Sequence, residues 1–358
     1  MTKLSFKTAH HRVTKYIVQF SLMSCVLSAL AVLTGCGRFM AARMMQAPNT
    51  YPQWIAPDAP VQLILPIAFQ TNFATHWLEI SNPPARLRYS VIDPAQYQLS
   101  VTRTNWTKND REFFRFYFDA QLPAPTNQWT AQPRGTVFLL HGYSIGMFAM
   151  TPWALALAEH GWRCVVVDLR GHGGSTGDKI YYGIQETEDM RRLFDTLEAR
   201  GEIIPPVTVV GESYGAALAL RWSTQDSRIQ RIAAITPYAT LSNSVLNISH
   251  EYSGWLPDWW LRAGLRELPK RLGVAETELN PRDMMQRSVP DTLFIAAEDD
   301  KIAPPDAVWE LYQLAPEERK FLIIANATHE AVPYFFEVLE APIAEWLNAT
   351  STTSPAGN

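Results

Sequence analysis

The chain has 358 residues, enough for one substantial core with a smaller appended lobe, and 47% of them are hydrophobic, as in folded globular proteins. Its 31 basic and 35 acidic side chains give a formal charge of −4, which argues against nucleic acid as a partner. Three cysteines, Cys25, Cys36 and Cys164, are too few for a disulfide framework or a cysteine-built metal site.

Lys3, Lys7, Arg12 and Lys15 precede the uncharged stretch "YIVQFSLMSCVLSALAVLTG", the layout of a targeting segment and not of a core element. The stretch runs into "LTGC", which resembles the lipobox of bacterial lipoproteins. That resemblance implies that residues 1–35 are a signal peptide and that Cys36 becomes the lipidated first residue of the mature chain. Because Gly37 and not Asp follows, it also implies the periplasmic face of the outer membrane in a Gram-negative cell envelope. An uncleaved transmembrane anchor and an ordinary secretion signal are the alternatives. Several acyl chains on one cysteine anchor stably, whereas one chain binds marginally. Losing residues 1–35 removes four of the 31 basic side chains and no acidic one, so 27 face 35 and the formal charge becomes −8.

Residues 36–95 mix Pro with apolar side chains and hold no sustained period of two or 3.6, so a tether and an irregular segment are expected there. Next, "QLSVTRTNW" and "REFFRFYFDA" alternate and are aromatic, which predicts two antiparallel strands joined through "TKND". From there, short unbroken apolar runs ("TVFLL", "CVVVDL", "VTVVG", "IAAI", "TLFIAA", "KFLII") alternate with amphipathic segments such as "ETEDMRRLFDTLEARG" and "PDAVWELYQLA". This is the pattern of an α/β domain over 96–348, its mostly parallel sheet covered by helices on both faces. Between about 240 and 288 the strand pattern stops, and "HEYSGWLPDWWLRAGLRELPKRLG" predicts a small inserted helical lid. Its tryptophans either line an apolar substrate pocket or pack the lid to the core. Residues 349–358 read as a flexible tail.

The stretch "VVGESYGAALAL" sets Ser213 between Gly211 and Gly215, after a buried strand and before a helix. Two glycines there permit a sharp strand-to-helix turn that exposes the serine, and the helix start offers the N–H of Tyr214 to a developing oxyanion. A serine needs a base, and the base needs an orienting acid. His329, directly after the last apolar strand, is the best base; Glu298, Asp299 and Asp300, just past "TLFIAA", are the candidate acids. Glu212, beside the serine, has no role beyond a polar contact beneath the turn.

Together these residues resemble the α/β-hydrolase fold family, in its lysophospholipase, monoacylglycerol lipase and serine aminopeptidase-like branch. The match runs through "HG" (His141, Gly142), "RGHGGS" (Arg170 to Ser175), "GESYG" and "DKIAP". The resemblance implies an α/β fold with a lid, and a catalytic triad of Ser213, Asp300 and His329, with Asp299 as the other acid. It implies an oxyanion hole from the N–H groups of Tyr143 and Tyr214, structural loop positions at His141, Gly142, His172, Gly211 and Gly215, and no metal or organic cofactor. His172 is expected to position the "HG" loop by hydrogen bonds. Ala297 stands where the family usually has glycine, and "NATHE" replaces its usual Gly-His pair. The activity implied is hydrolysis of acyl esters such as lysophospholipids or monoacylglycerols through an acyl-enzyme. An aminopeptidase, amidase or acyltransferase on the same triad stays open, Glu251 and Asp258 being available to receive an amino terminus. So does a non-catalytic envelope binding protein.

Overall fold

The computed structural model describes residues 35–50, 59–66, 69, 73–121, 131–287, 289–315 and 319–349. Residues 1–34 of the signal peptide expected over 1–35, and residues 350–358 of the tail expected over 349–358, lie outside them. The described chain forms two compact units, one of residues 35–44 with Trp255–Val274, the other of the remainder.

The larger unit holds two sheets. In the first, β1 (Val61–Ile64) runs parallel to β5 (Arg111–Asp119), and β5 pairs antiparallel with β4 (Ser100–Lys108). Asn109 and Asp110, both with positive φ, make the tight turn between β4 and β5 that "TKND" predicted. The second sheet has eight strands. Its order is β11 (Arg319–Ile324), β10 (Asp291–Ala297), β9 (Ile229–Ile235), β8 (Val207–Glu212), β6 (Thr136–Leu140), β7 (Arg163–Val167), β3 (Pro84–Ile92) and β2 (His76–Ser81). Strands β6 to β11 are parallel; β3 joins β7 antiparallel and β2 joins β3 antiparallel.

Every residue of β6, β8 and β10 is buried, which is why these runs read as continuously apolar. On one face Val137 and Leu139 join a core that includes Trp153 of the helix Thr151–Glu159 and Phe336 of the helix Phe336–Asn348. Those two rings stack 4.2 Å apart. On the other face Phe138 packs on Phe194 of the helix Ile184–Ala199 and on Trp222 of the helix Tyr214–Ser223. Alternating side chains of one strand therefore hold helices on both faces.

The expectation of an irregular stretch over 36–95 is corrected: β1, β2 and β3 lie inside it, and β2 and β3 extend the main sheet beyond residue 96. Prolines hid them, since Pro83 and Pro84 sit in the β2–β3 connection and at the start of β3, and β2 is an edge strand with one buried residue. The interval from about 240 to 288, expected as a small helical lid, is helical and holds no strand among the described residues. Four helical pieces fill the interval: Leu241–Tyr252, Asp258–Leu272, Glu276–Leu279 and Pro281–Met284. Only Asp258–Leu272 falls in the smaller unit. There it packs against residues 35–44 at a glycine-lined crossing, where a Cβ on Gly37 would stand 2.9 Å from the Ala263 carbonyl oxygen. A Cβ on Gly264 would come within 2.6 Å of Met40.

Strand β5 covers the chain beyond β11. Phe114, Phe116 and Phe118 point to one face and meet Phe335, Tyr334 and Phe336 at centroid distances of 5.7, 5.6 and 5.8 Å. Truncating the fully buried Phe116 to Ala removes the centre of this ladder. A loss of about 3–5 kcal/mol of stability is expected from urea unfolding of the F116A variant.

Candidate active site

Strand β8 ends at Glu212, and the helix Tyr214–Ser223 starts one residue later. Ser213 makes the whole reversal, with φ 49° and ψ −109°, a conformation that costs a non-glycine residue on the order of 1–3 kcal/mol. Its N–H donates to the Ile235 carbonyl of β9 at 2.8 Å, which pins the turn to the sheet. Both flanking glycines have steric reasons. A Cβ on Gly211 would lie 2.5 Å from the Gly215 carbonyl oxygen, and one on Gly215 would lie 2.2 Å from that of Leu140.

His329 Nε2 stands 2.8 Å from Ser213 Oγ, and His329 Nδ1 stands 2.7 Å from Asp300 Oδ2. The other carboxylate oxygen of Asp300 accepts the N–H groups of Ile302 and Ala303 at 2.8 and 2.7 Å. The acid at the imidazole is thus Asp300. Asp299 is exposed, and its N–H donates to the Ala327 carbonyl at 3.0 Å, tying the acid loop to the histidine loop. "NATHE" makes its turn without glycine because Asn326, a residue tolerant of the left-handed region, takes φ 51° there.

The register of β6 against β8 pairs Leu140 with Gly211, so His141, Gly142 and Tyr143 emerge beside the Ser213 turn. Strand order reverses here, the place where open α/β sheets form their clefts. Glu212 Oε1 accepts the Gly142 N–H at 3.2 Å, which gives Glu212 a task that sequence reasoning did not find. Its Oε2 has no hydrogen-bond partner, and burial raises the carboxyl to about 7, with the His329 charge acting the other way. Tyr214 is the first residue of its helix, where backbone N–H groups have no intrahelical acceptor, and its ring lies 6.3 Å from that of Tyr143.

His141 Nε2 accepts the Leu169 N–H at 3.0 Å, so its proton sits on Nδ1, which donates to the Gly142 carbonyl at 2.7 Å. Burial lowers this imidazole to about 4. The expectation for His172 is corrected. Its Nδ1 bonds to the Arg170 carbonyl at 2.8 Å within its own loop, and it meets the "HG" segment by ring packing, 5.2 Å from His141 and 5.8 Å from Tyr143. Burial, and then His141, lowers it to about 3. The polar organiser of this loop is Asp168, fully buried and unflagged by any motif. It accepts Met147 N–H at 2.6 Å, Gly174 N–H at 2.8 Å and Arg88 Nε at 2.6 Å.

Ser213, His329, Tyr143 and Glu212 line a cavity of about 490 Å³ whose walls include Val61, Leu63, Ile145, Ile248, Tyr252 and Tyr334. The walls come from β1, the "HG" loop, the helix Leu241–Tyr252 and the chain after β11. A second, charged cavity of about 290 Å³ adjoins it through His329, Ile302 and Glu330, with Arg111, Glu251 and Lys301 in its lining. Arg111 is ion-paired with Glu251, and Tyr252 donates a hydrogen bond to Glu330. Among the described residues no group of three His, Cys, Asp or Glu side chains is arranged to hold a metal ion.

This architecture recurs in solved structures. The chain is similar to the esterase Pf2001 of Pyrococcus furiosus, with TM-score 0.55 and 19% identity over 80% of this chain and 95% of that one. It is similar to 2,6-dihydroxy-pseudo-oxynicotine hydrolase, with TM-score 0.52 and 17% identity over 77% of this chain and 67% of that one. The fold is the α/β-hydrolase fold. Within it, residues 131–281 match the family described as serine aminopeptidase, S33. These residues run from just before β6 to the start of the short helix Pro281–Met284, and take in the "HG" loop and the Ser213 turn. The uncharacterized protein YqkD of Bacillus subtilis (strain 168) is 24% identical over 198 residues, 54% of this chain and 64% of that protein's length. Ser213 follows β8, Asp300 follows β10 and His329 follows β11.

Glu212 also makes stability depend on pH. Its folded value of about 7 exceeds the 4.5 of the unfolded chain, so folded protein retains the proton longer, and stability falls as pH rises from 4.5 to 7. Glu212→Gln can keep the Gly142 contact and cannot ionise. Its stability relative to the parent is expected to improve as pH rises through that window, measured by urea unfolding at a series of pH values.

Proposed function

We propose that the protein is a serine hydrolase of carboxylic esters with apolar acyl groups, acting through an acyl-enzyme. The observation that carries this is the continuous relay from Ser213 through His329 to Asp300, opening on a largely apolar cavity. His329 Nε2 takes the Ser213 proton as Oγ attacks the ester carbonyl, while Asp300 holds the imidazole and stabilises its cationic form. The N–H groups of Tyr143 and Tyr214 receive the oxyanion, donors that need no reorganisation because the Glu212–Gly142 bond and the helix start fix them beforehand. The leaving alcohol departs with the proton from His329, and a water activated by the same imidazole releases the acid. Lysophospholipids and monoacylglycerols suit an apolar cavity joined to a charged one.

The aminopeptidase alternative is less well supported. Glu251 is engaged by Arg111 and lies 3.7 Å from Lys301, so its charge is already compensated. A panel of acyl esters of increasing chain length, with aminoacyl amides alongside, tests the reading. Turnover of the esters is expected, and Ser213→Ala should lower it by at least about 10³-fold. Unchanged turnover in that variant would sink the mechanism, and preference for the amides would move the activity to peptidase.

The anchor belongs to the same proposal: Cys36 is acylated and holds the enzyme on the periplasmic face of the outer membrane. Its support is "LTGC" after a charged-then-apolar leader. Among the described residues no helix is long and apolar enough to cross a membrane. Cells fed labelled palmitate should label the parent protein and not its Cys36→Ser variant.

A further inference from the structure

The smaller unit differs in charge from the rest of the protein. Its described residues carry six basic side chains (Arg38, Arg43, Arg262, Arg266, Lys270 and Arg271) and two acidic ones (Asp258 and Glu267), a formal charge of +4. The chain from residue 36 onward totals −8. This basic surplus lies on a patterned surface. Along Asp258–Leu272, Leu261, Ala263, Gly264, Leu265 and Leu268 are buried. Trp259, Arg262, Arg266 and Lys270, three or four residues apart, form one exposed face.

Large aromatic rings join that face. Trp255 is 77% exposed, Trp259 55% and Phe39 58%, far more than folding alone would leave open in three such residues of one small unit. Phe39 stacks on Trp260 at 6.4 Å, and Trp260 Nε1 donates to the Cys36 carbonyl at 3.4 Å. Trp260, and through it Phe39, is therefore tied directly to Cys36. Aromatic rings that sit at headgroup depth, flanked by arginine and lysine, are the composition of a surface that lies on an anionic bilayer. Each cation held near such a surface contributes about 1 kcal/mol.

We propose that residues 35–44 and the helix Asp258–Leu272 form a docking face for an anionic lipid bilayer, with Phe39, Trp255 and Trp259 entering the interface and Arg262, Arg266 and Lys270 meeting lipid headgroups. The face uses none of the residues of the Ser213 chemistry and stands whether or not that chemistry is as proposed. It adds to a lipid on Cys36 a second attachment that fixes orientation, which one flexible tether does not.

Tryptophan fluorescence tests this, because residues 1–35 contain no tryptophan and quenching reports where the rest of the chain lies. The full chain is mixed with vesicles of brominated phosphatidylcholine, alone or with phosphatidylglycerol. Quenching is expected in the anionic vesicles and should weaken at high salt. Trp255→Phe with Trp259→Phe should abolish most of that quenching while ester turnover stays unchanged. Replacing Arg262, Arg266 and Lys270 by Gln should lower the preference for anionic vesicles about 100-fold. Equal quenching in the double tryptophan variant, or equal response to both lipids, would overturn the proposal. So would a lipid-independent dimer lost on the same substitutions, which would assign the face to a second copy of the chain.

Discussion

The site depends on how closely the helix Tyr214–Ser223 approaches the end of β6. Gly215 lies so near the Leu140 carbonyl that no side chain fits between them. That approach puts the Ser213 hydroxyl, the first N–H groups of the helix and the Gly142–Tyr143 segment around one point. A β-carbon would push the helix outward and separate all three at once. Displacements of about 1 Å are worth roughly 10²-fold in rate where reacting groups must be held in register. Ser213 itself bears the cost as backbone strain, and the sheet, through the Ile235 carbonyl, prevents its release.

A second device recurs around this point. Asp168, Glu212 and Asp300 are all buried, and each accepts backbone N–H groups from a loop leaving a strand end. The two buried imidazoles act alongside them: burial keeps His141 and His172 neutral, so they serve as fixed polar joints and not as charges beside the base. His329, partly open to the cavity, lies between a hydroxyl and a carboxylate.

Much of this was legible in the sequence where one signal dominates. Buried parallel strands show as apolar runs, and the elbow shows as two glycines around a serine, because steric limits there leave few residue choices. Asp300 could be separated from Asp299 only through a pattern of residues, and its position is explained by the N–H groups of Ile302 and Ala303, which no pattern displays. Strands β1 and β2 were missed because edge strands are half exposed and tolerate proline, and β3 because Pro84 opens it and its pattern is not continuously apolar. Asp168 was missed, and the partner of the polar contact expected for Glu212 was not identified, because a buried acceptor is defined by what donates to it, and Met147 and Gly142 lie 21 and 70 residues away. The inserted tryptophans were misleading in another way: composition showed an apolar segment, and only the fold shows that Trp255 and Trp259 face outward.

The hydrogen bond from Tyr252 to Glu330 carries a consequence for access. Tyr252 ends the helix that walls the cavity, and Glu330 is the next residue after the base. Arg111 pairs with Glu251 at the same end of the helix. The cavity wall and the loop that carries His329 thus share a side-chain hydrogen bond worth about 1 kcal/mol, so the mouth of the cavity is fastened at its rim by polar side chains and not by packed core.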